Sequence, residues 1–463
     1  MLPAVALVGR PNVGKSTLYN VLTRTRDAIV SDMPGVTRDR LYGVCRLAER
    51  PMVVVDTAGL TESEDVLAKG MAGQSWAAIA ESDVVCLVVD ARDGLLPDDR
   101  EIVQRIRALG KRMVLVINKT DGLDPLDAQA EFSPLGIEAT IGISAAHQRG
   151  ITELLQAVLE RLPPVETASE EAPDPKTIRL AIVGRPNVGK STLVNRLLGE
   201  ERVLAMDMPG TTRDAIRVPV ERDGQKFLLI DTAGIRRKAR VEEAVEKFSV
   251  IKALQAIEEA NVVVVVLDAQ QSYTEQDAHI LGHVLESGRA LVLAINKWDG
   301  LSVRERTQVK QRLDWGLDFA AFAKRIPISA LHGSGLGELM AAVKLAHRSA
   351  MREFNTKELT EAINAAFEAY QPPLVRGRVA KLRYAHQGGR NPPRVVIHGS
   401  RLASLPDSYK RYLENYLRKR YRLSGTPVFL EFREGENPFA GRRNELTERQ
   451  VRKRRRMLRH VKH

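Results

Sequence analysis

The sequence is poor in cysteine. Cys45 and Cys86 are the only two in 463 residues, too few for a disulfide framework, which argues against a disulfide-stapled secreted domain and for a reducing, cytosolic compartment. Long apolar runs are also missing. None is longer than Val262 to Leu267, which falls far short of the ~20 residues that a bilayer-spanning helix needs. The start, MLPAVALVGRPNVGKS, carries neither a basic leader nor a small-residue cleavage site, so no signal peptide is expected. What is present suits ordinary folding: 44% hydrophobic residues can bury real cores, and the length fits about two to four domains.

The net charge of +12 is segregated. Residues 350–463 hold 26 Lys+Arg against 11 Asp+Glu, whereas the first 349 hold 44 against 47. A basic surplus confined to one module is the footprint of a polyanionic partner; a merely solvated basic surface is the blander alternative.

An internal repeat organises the rest. GRPNVGKSTLYN at 9–20 returns as GRPNVGKSTLVN at 184–195, an offset of 175. The same offset links PGVTRD at 34–39 with PGTTRD at 209–214 and the two DTAG segments at 56–59 and 231–234. NKTD at 118–121 pairs with NKWD at 296–299, at an offset of 178. Landmarks in the same order at nearly constant spacing mean a duplicated domain. Each copy alternates short Val/Ile/Leu runs with helical patterns: PAVALVG, PMVVVDTAG, DVVCLVVDA and RMVLVINK, then IRLAIVG, KFLLIDTAG, NVVVVVLDA and ALVLAINK. Such runs are the strands of a parallel sheet covered on both faces, so two tandem doubly wound α/β domains are expected.

The expected boundaries are a first domain over 1–162, an extended acidic, Pro-rich linker over 163–177, a second domain over 178–349, a small α+β domain over 350–440 and a basic mobile tail over 441–463. In the small domain the expected order is α-β-β-α-β. Its first helix presents Leu359, Ile363, Ala366, Phe367 and Tyr370 at helical spacing, and a Gly/Asn/Pro loop containing Gly388 and Gly389 joins its first two strands.

GxxxxGKS between a strand and a helix is a phosphate-binding loop. It comprises Gly9, Arg10, Pro11, Asn12, Val13, Gly14, Lys15, Ser16 and Thr17, and again Gly184, Arg185, Pro186, Asn187, Val188, Gly189, Lys190, Ser191 and Thr192. Backbone N–H groups and a helix N-terminus cradle the phosphates, Lys15 and Lys190 reach the β- and γ-phosphates, and Ser16 and Ser191 hold Mg²⁺. In DTAG, Asp56 and Asp231 are further Mg²⁺ residues, as are Thr37 and Thr212. Thr57, Ala58 and Gly59, with Leu60, and Thr232, Ala233 and Gly234, with Ile235, line the γ-phosphate side. NKxD selects the base: Asp121 and Asp299 accept two hydrogen bonds from the N1–H and amino group of guanine, a donor edge that adenine lacks. Asn118 and Asn296 brace that loop and touch the base, and Lys119, Thr120, Lys297 and Trp298 complete the two nucleotide-binding motifs. Ser144-Ala145 and Ser329-Ala330 close on guanine O6. The expected ligands are GTP and GDP.

These motifs in this order resemble the TRAFAC-class GTPases related to Era. Two tandem copies followed by a small basic α/β domain resemble the bacterial Der (EngA) family over nearly the whole chain. Many GTPases follow DTAG with a glutamine that orients the attacking water; here Leu60 and Ile235 stand in its place. The resemblance implies that Asn12 and Asn187 help to bind a K⁺ ion that supplies the missing charge, which makes them catalytic beside Lys15 and Lys190; an asparagine also suits a tight loop turn, and both readings stay open. It implies a KH-like C-terminal domain, although SYKRYLENYLRKRY lacks the GxxG loop of RNA-binding KH domains. It further implies a monomeric cytoplasmic GTPase acting in late assembly of the large ribosomal subunit, with rRNA as partner. The candidate RNA residues are Arg236, Arg237, Lys238 and Arg240 after the second DTAG, Arg418, Lys419, Arg420 and Arg422 in the small domain, and Arg452, Lys453, Arg454, Arg455 and Arg456 in the tail. Docking of the small domain on the GTPase domains is the alternative use of that face. Of two other classes, a GTP-gated protein at an anionic membrane surface is disfavoured by a tail without aromatic anchors. A scaffold with dead sites is disfavoured by intact metal and base motifs.

Overall fold

The computed structural model describes residues 2–23, 42–57, 75–164, 176–200, 202–203, 217–230, 250–271, 273–372, 379–402 and 404–434. The first repeat forms a six-stranded sheet of β1 (Ala4–Val8), β2 (Tyr42–Cys45), β3 (Met52–Asp56), β4 (Val84–Asp90), β5 (Arg112–Asn118) and β6 (Thr140–Gly142), in the order β2-β3-β1-β4-β5-β6. All pairs are parallel except β2 with β3.

Strand periodicity explains the layers. Alternate residues point to opposite faces. Leu7, Cys86, Val88, Val114 and Val116 therefore pack with Leu18, Leu154 and Val158 of helices Lys15–Thr23 and Ile151–Arg161. Val8, Val85, Leu87, Val89 and Ile117 pack on the other side with Ile102, Ile106 and Phe132 of helices Pro97–Ala108 and Pro125–Phe132.

The second repeat forms a seven-stranded sheet from β7 (Ile178–Val183), β8 (Arg202–Val203), β9 (Val218–Arg222), β10 (Gln225–Ile230), β11 (Val262–Asp268), β12 (Ala290–Asn296) and β13 (Lys324–Pro327), in the order β13-β12-β11-β7-β10-β9-β8. Here β8-β9-β10 is antiparallel and the remainder parallel. Its two faces are covered in the same way, one by helices Lys190–Glu200 and Leu336–Ala350, the other by Val250–Glu259 and Glu275–Ser287. In each sheet the chain leaves the central strand, β1 or β7, to build first one flank and then the other. The crevice beyond the carboxyl end of that strand is thus a topological switch point. The eight strands expected from apolar runs are all present. The additional ones, β2, β6, β8, β9 and β13, are short and flank the sheets.

A second compact unit gathers Phe354–Gly388 and Arg394–Leu417, with the strand residues from Leu430. Its three-stranded sheet is ordered β14 (Lys381–Gly389), β15 (Arg394–Ser400), β16 (Phe429–Glu434). With helices Thr356–Ala369 and Asp407–Arg420 the order is α-β-β-α-β. Asn355 caps the first helix, its side chain accepting from Lys357 N at 2.8 Å, and Leu359, Ile363 and Ala366 are buried as expected. Two details differ from the sequence reading. Tyr370 follows the helix with an extended backbone and is exposed, because the helical turn has ended there. Gly388 and Gly389 close β14 instead of lying in the loop, which is left to residues 390–393.

Candidate functional site

Both phosphate loops leave the central strand and run into a helix at the switch point. Their glycines are required by space. At Gly14 (φ +96°) and Gly189 (φ +98°) an added Cβ would sit 2.3 Å from Asn118 Nδ2 and 2.2 Å from Asn296 Nδ2. Those amides need the room: Asn118 Nδ2 donates to Val13 O at 2.9 Å and Asn296 Nδ2 to Val188 O at 2.7 Å. The same side chains accept from Ala145 N at 3.0 Å and Ala330 N at 2.9 Å. One buried asparagine thus joins the phosphate loop, the NKxD loop and the Ser-Ala loop in each copy. Lys119 Nζ adds a bond to Asn12 O at 3.0 Å.

The base-reading carboxylates are held from the Ser-Ala loop. Ser144 Oγ donates to Asp121 Oδ2 at 2.9 Å. In the second copy a hydrogen bond from Ser329, together with the nearby His332, keeps the Asp299 carboxyl below its ordinary value. Both aspartates are partly exposed and so open to a base from solvent.

On the phosphate side Lys15 is buried and donates to Gly9 O at 3.0 Å and Arg10 O at 2.6 Å. Burial lowers its pKa to about 8 against the opposing pull of Asp56. Lys190 Nζ donates to Arg185 O at 2.6 Å. Asp56 is buried, its Oδ1 without a hydrogen-bond partner among the described residues, and its pKa is raised by desolvation, with the hydrogen bond from Ser16 and the charge of Lys15 working the other way. An unpaired buried carboxylate oxygen beside a serine hydroxyl suits Mg²⁺, which takes few protein ligands and completes its shell with water and phosphate oxygens. Thr57 is buried, its hydroxyl donating to Leu7 O at 2.7 Å. Asn12 and Asn187 are exposed at φ +64°. That is a left-handed conformation which asparagine tolerates better than most residues, so the loop turn by itself accounts for the residue type.

Two features escaped the sequence reading. Lys119 pairs with Asp90 at 2.5 Å and Lys297 with Asp268 at 2.6 Å; these buried aspartates end β4 and β11. Arg10 Nε pairs with Asp99 Oδ1 at 3.0 Å and Arg185 Nε with Asp277 Oδ1 at 3.0 Å. Asp99 and Asp277 are each the third residue of a helix and accept from the N-cap amide at 3.1 Å. The arginines named with the nucleotide loop therefore anchor that loop, and only their backbone remains for phosphate. Both acids repeat at an offset of 178, the offset of NKxD, which was the signal available to find them.

Of the other expected residues, Val13 and Val188 are core, and Thr17, Thr192 and Pro11 are exposed. Thr120 and Trp298 follow the bracing lysines, and the Thr120 hydroxyl donates to Ile143 O at 2.9 Å. Thr37, Ala58, Gly59, Leu60, Thr212, Asp231, Thr232, Ala233, Gly234 and Ile235 lie outside the described residues. So do Arg236, Arg237, Lys238, Arg240, Arg452, Lys453, Arg454, Arg455, Arg456, the tail and most of the linker. Lys419, Arg420 and Arg422 are exposed, whereas the Arg418 guanidinium lies over the Phe322 ring at 5.0 Å and is taken up by that contact.

Residues 4–119 and 179–297 match the family described as 50S ribosome-binding GTPase, and residues 353–433 match the KH-domain-like C-terminal domain of EngA bacterial GTPase enzymes. The chain is similar to the protein named GTPase Der in Thioalkalivibrio sulfidiphilus, with 57% identity over 462 residues, and in Xanthomonas oryzae pv. oryzae, with 56% over 463 residues. Each alignment covers 100% of both chains.

Proposed function

The chain belongs to the GTPase Der family, and from that premise we propose that it is a GTPase whose two nucleotide sites gate binding to the large ribosomal subunit during late assembly. The observation that carries this reading is the duplicated, intact site: the same asparagine-centred link of phosphate, base and Ser-Ala loops in both copies.

GTP hydrolysis at these sites is charge management. Lys15 and Lys190, at the start of their helices, present an ammonium where phosphate charge gathers. The loop amides and helix N-termini add donors fixed in place before the reaction. Ser16 and Asp56, with Thr37, and Ser191 and Asp231, with Thr212, would hold Mg²⁺. When bound, the ion supplies positive charge to the β- and γ-phosphates. Asn12 and Asn187 would help to hold K⁺, adding charge where Leu60 and Ile235 offer none. The residues after each DTAG sense the γ-phosphate and so make the partner-binding surface depend on nucleotide. We assign the chain's regions as 1–162, 163–177, 178–349, 350–440 and 441–463. The reading is of a cytoplasmic monomer; among the described residues no helix is long and apolar enough to cross a membrane.

The test is sedimentation with ribosomal subunits on a sucrose gradient at physiological salt, with GDP or a non-hydrolysable GTP analogue. Co-sedimentation with the large subunit in one nucleotide state supports the gate. None in any state removes the ribosome from the reading. Turnover in KCl against NaCl tests the potassium assignment.

A further inference from the structure

In the C-terminal unit an aromatic stack stands on one face of the small sheet. Residues two apart on a strand share a face, so Tyr384 and His386 of β14 stand on the same side, and the fully buried Ala385 points to the other. His398 of β15 joins them. Its ring lies 4.4 Å from the Tyr384 ring at an interplanar angle of 10°, and 5.1 Å from the His386 ring at 23°. Tyr384 is 44% exposed although His398 covers one of its faces, so the tyrosine ends the stack towards solvent.

Arginines share this face. Arg394 stands four residues before His398 on β15 and is exposed, as is Arg433 of β16, whose charge acts on His398 and which pairs with Glu431 at 2.7 Å, whereas Lys381 and Arg383 alternate to the side of Ala385. The whole basic surplus of the chain lies in the same quarter of the sequence. The histidines contribute as rings. Burial foremost, with His386 and Arg433 adding and Glu431 opposing, lowers the His398 pKa. His386 Nδ1 and His398 Nε2 make no hydrogen bond among the described residues. A cross-strand aromatic pair by itself stabilises a hairpin modestly; that would account for the Tyr384–His398 pair, but not for an exposed ring end with arginines on the same face.

We infer that the Tyr384–His386–His398 stack is a landing platform for unpaired RNA bases, with a base continuing the stack on Tyr384 and its phosphates drawn to the neighbouring cations. Stacking on an aromatic ring needs no GxxG loop and little sequence information, and a basic rim guides the backbone. The inference rests on the RNA reading given above, and it names the surface and the feature recognised: single-stranded bases, not duplex.

The test uses the full-length chain and a fluorescein-labelled 12-nucleotide unstructured RNA, read by fluorescence anisotropy. Tyr384→Ala should weaken binding about tenfold with an unchanged salt slope, since stacking contributes ~1–3 kcal/mol per base and releases no counterions. Tyr384→Phe should bind as the parent does, and a duplex of the same length should not compete. Equal affinity of Tyr384→Ala and parent would overturn the inference, and so would no binding by the parent. Far-ultraviolet circular dichroism and the thermal melt of each variant check that the chain, its C-terminal unit included, is folded. Should Tyr384→Ala fail that check, photocrosslinking of a 5-bromouridine RNA to the unaltered chain decides: adducts within residues 381–400 support the platform, and adducts only elsewhere overturn it. Subunit sedimentation separates the two readings, because large-subunit binding that persists without oligonucleotide binding removes the platform alone. Oligonucleotide binding that depends on Tyr384, without subunit binding, removes the ribosome alone.

Discussion

Removing Asp99 should damage the first nucleotide site from a distance. Its side chain is fully buried, Arg10 is nearly so, and the pair ties the phosphate loop to the helix Pro97–Ala108. Burial raises the Asp99 pKa more than Arg10 lowers it, so the pair as a whole adds little net stability. The loss on breaking it comes from the guanidinium left behind: about 3–5 kcal/mol for one partner of a buried pair, plus about 1 kcal/mol for the lost N-terminal cap. Asp93, 3.4 Å from Arg10 and half exposed, compensates in part and moves the expectation for Asp99→Ala to about 3 kcal/mol. Urea unfolding followed by circular dichroism would measure it, with the affinity for a fluorescent GDP read alongside. The double replacement Arg10→Met with Asp99→Leu removes both charges and should recover most of the stability but not the loop position. A loss below about 1 kcal/mol for Asp99→Ala, or a double variant as unstable as the single one, would refute the reasoning.

Gly189→Ala should lower nucleotide affinity at the second site more than tenfold with little change in overall fold, because its Cβ would displace Asn296; equilibrium binding of labelled GDP checks this. Asp299→Asn should exchange guanine for xanthine preference at the second site, the amide offering a donor to the xanthine 2-oxo group, as competition binding with the two nucleotides would reveal. Lys15, near 8 when folded against 10.5 when free, binds its proton less tightly in the folded chain. Its burial penalty is therefore full below pH 8 and relieved as pH rises from about 8 to 10.5. Phosphate charge reverses that shift, so GTP binding at the first site at pH 8.5 should take up about 0.7 proton and almost none at pH 6.5, as calorimetry in buffers of different ionisation enthalpy would detect.

What the sequence made legible follows from where each residue's constraint comes from. The strands β1, β3, β4, β11 and β12 are buried along their whole length, so they are apolar up to any polar residue that ends them and the run announces itself. The flanking strands β2 and β9 are only half buried, and their residues carry no continuous pattern. The glycines and Asn118 were readable because the loop spacing fixes them, and so was the bracing by the asparagine, but the steric reason for Gly14 was not. Gly14 is small to admit Asn118 Nδ2, a contact across more than a hundred residues that no local window contains. Arg10 shows the opposite failure. Its place inside a phosphate motif invites a phosphate role, whereas the structure spends its charge on Asp99. A motif records which residues a site needs and not which way each one faces, so a cation in a phosphate loop has two possible anions, the ligand and the scaffold. Only a buried acid on a neighbouring helix decides between them, and the duplication exposes that acid because Asp99 and Asp277 keep the same offset as the base-reading aspartates.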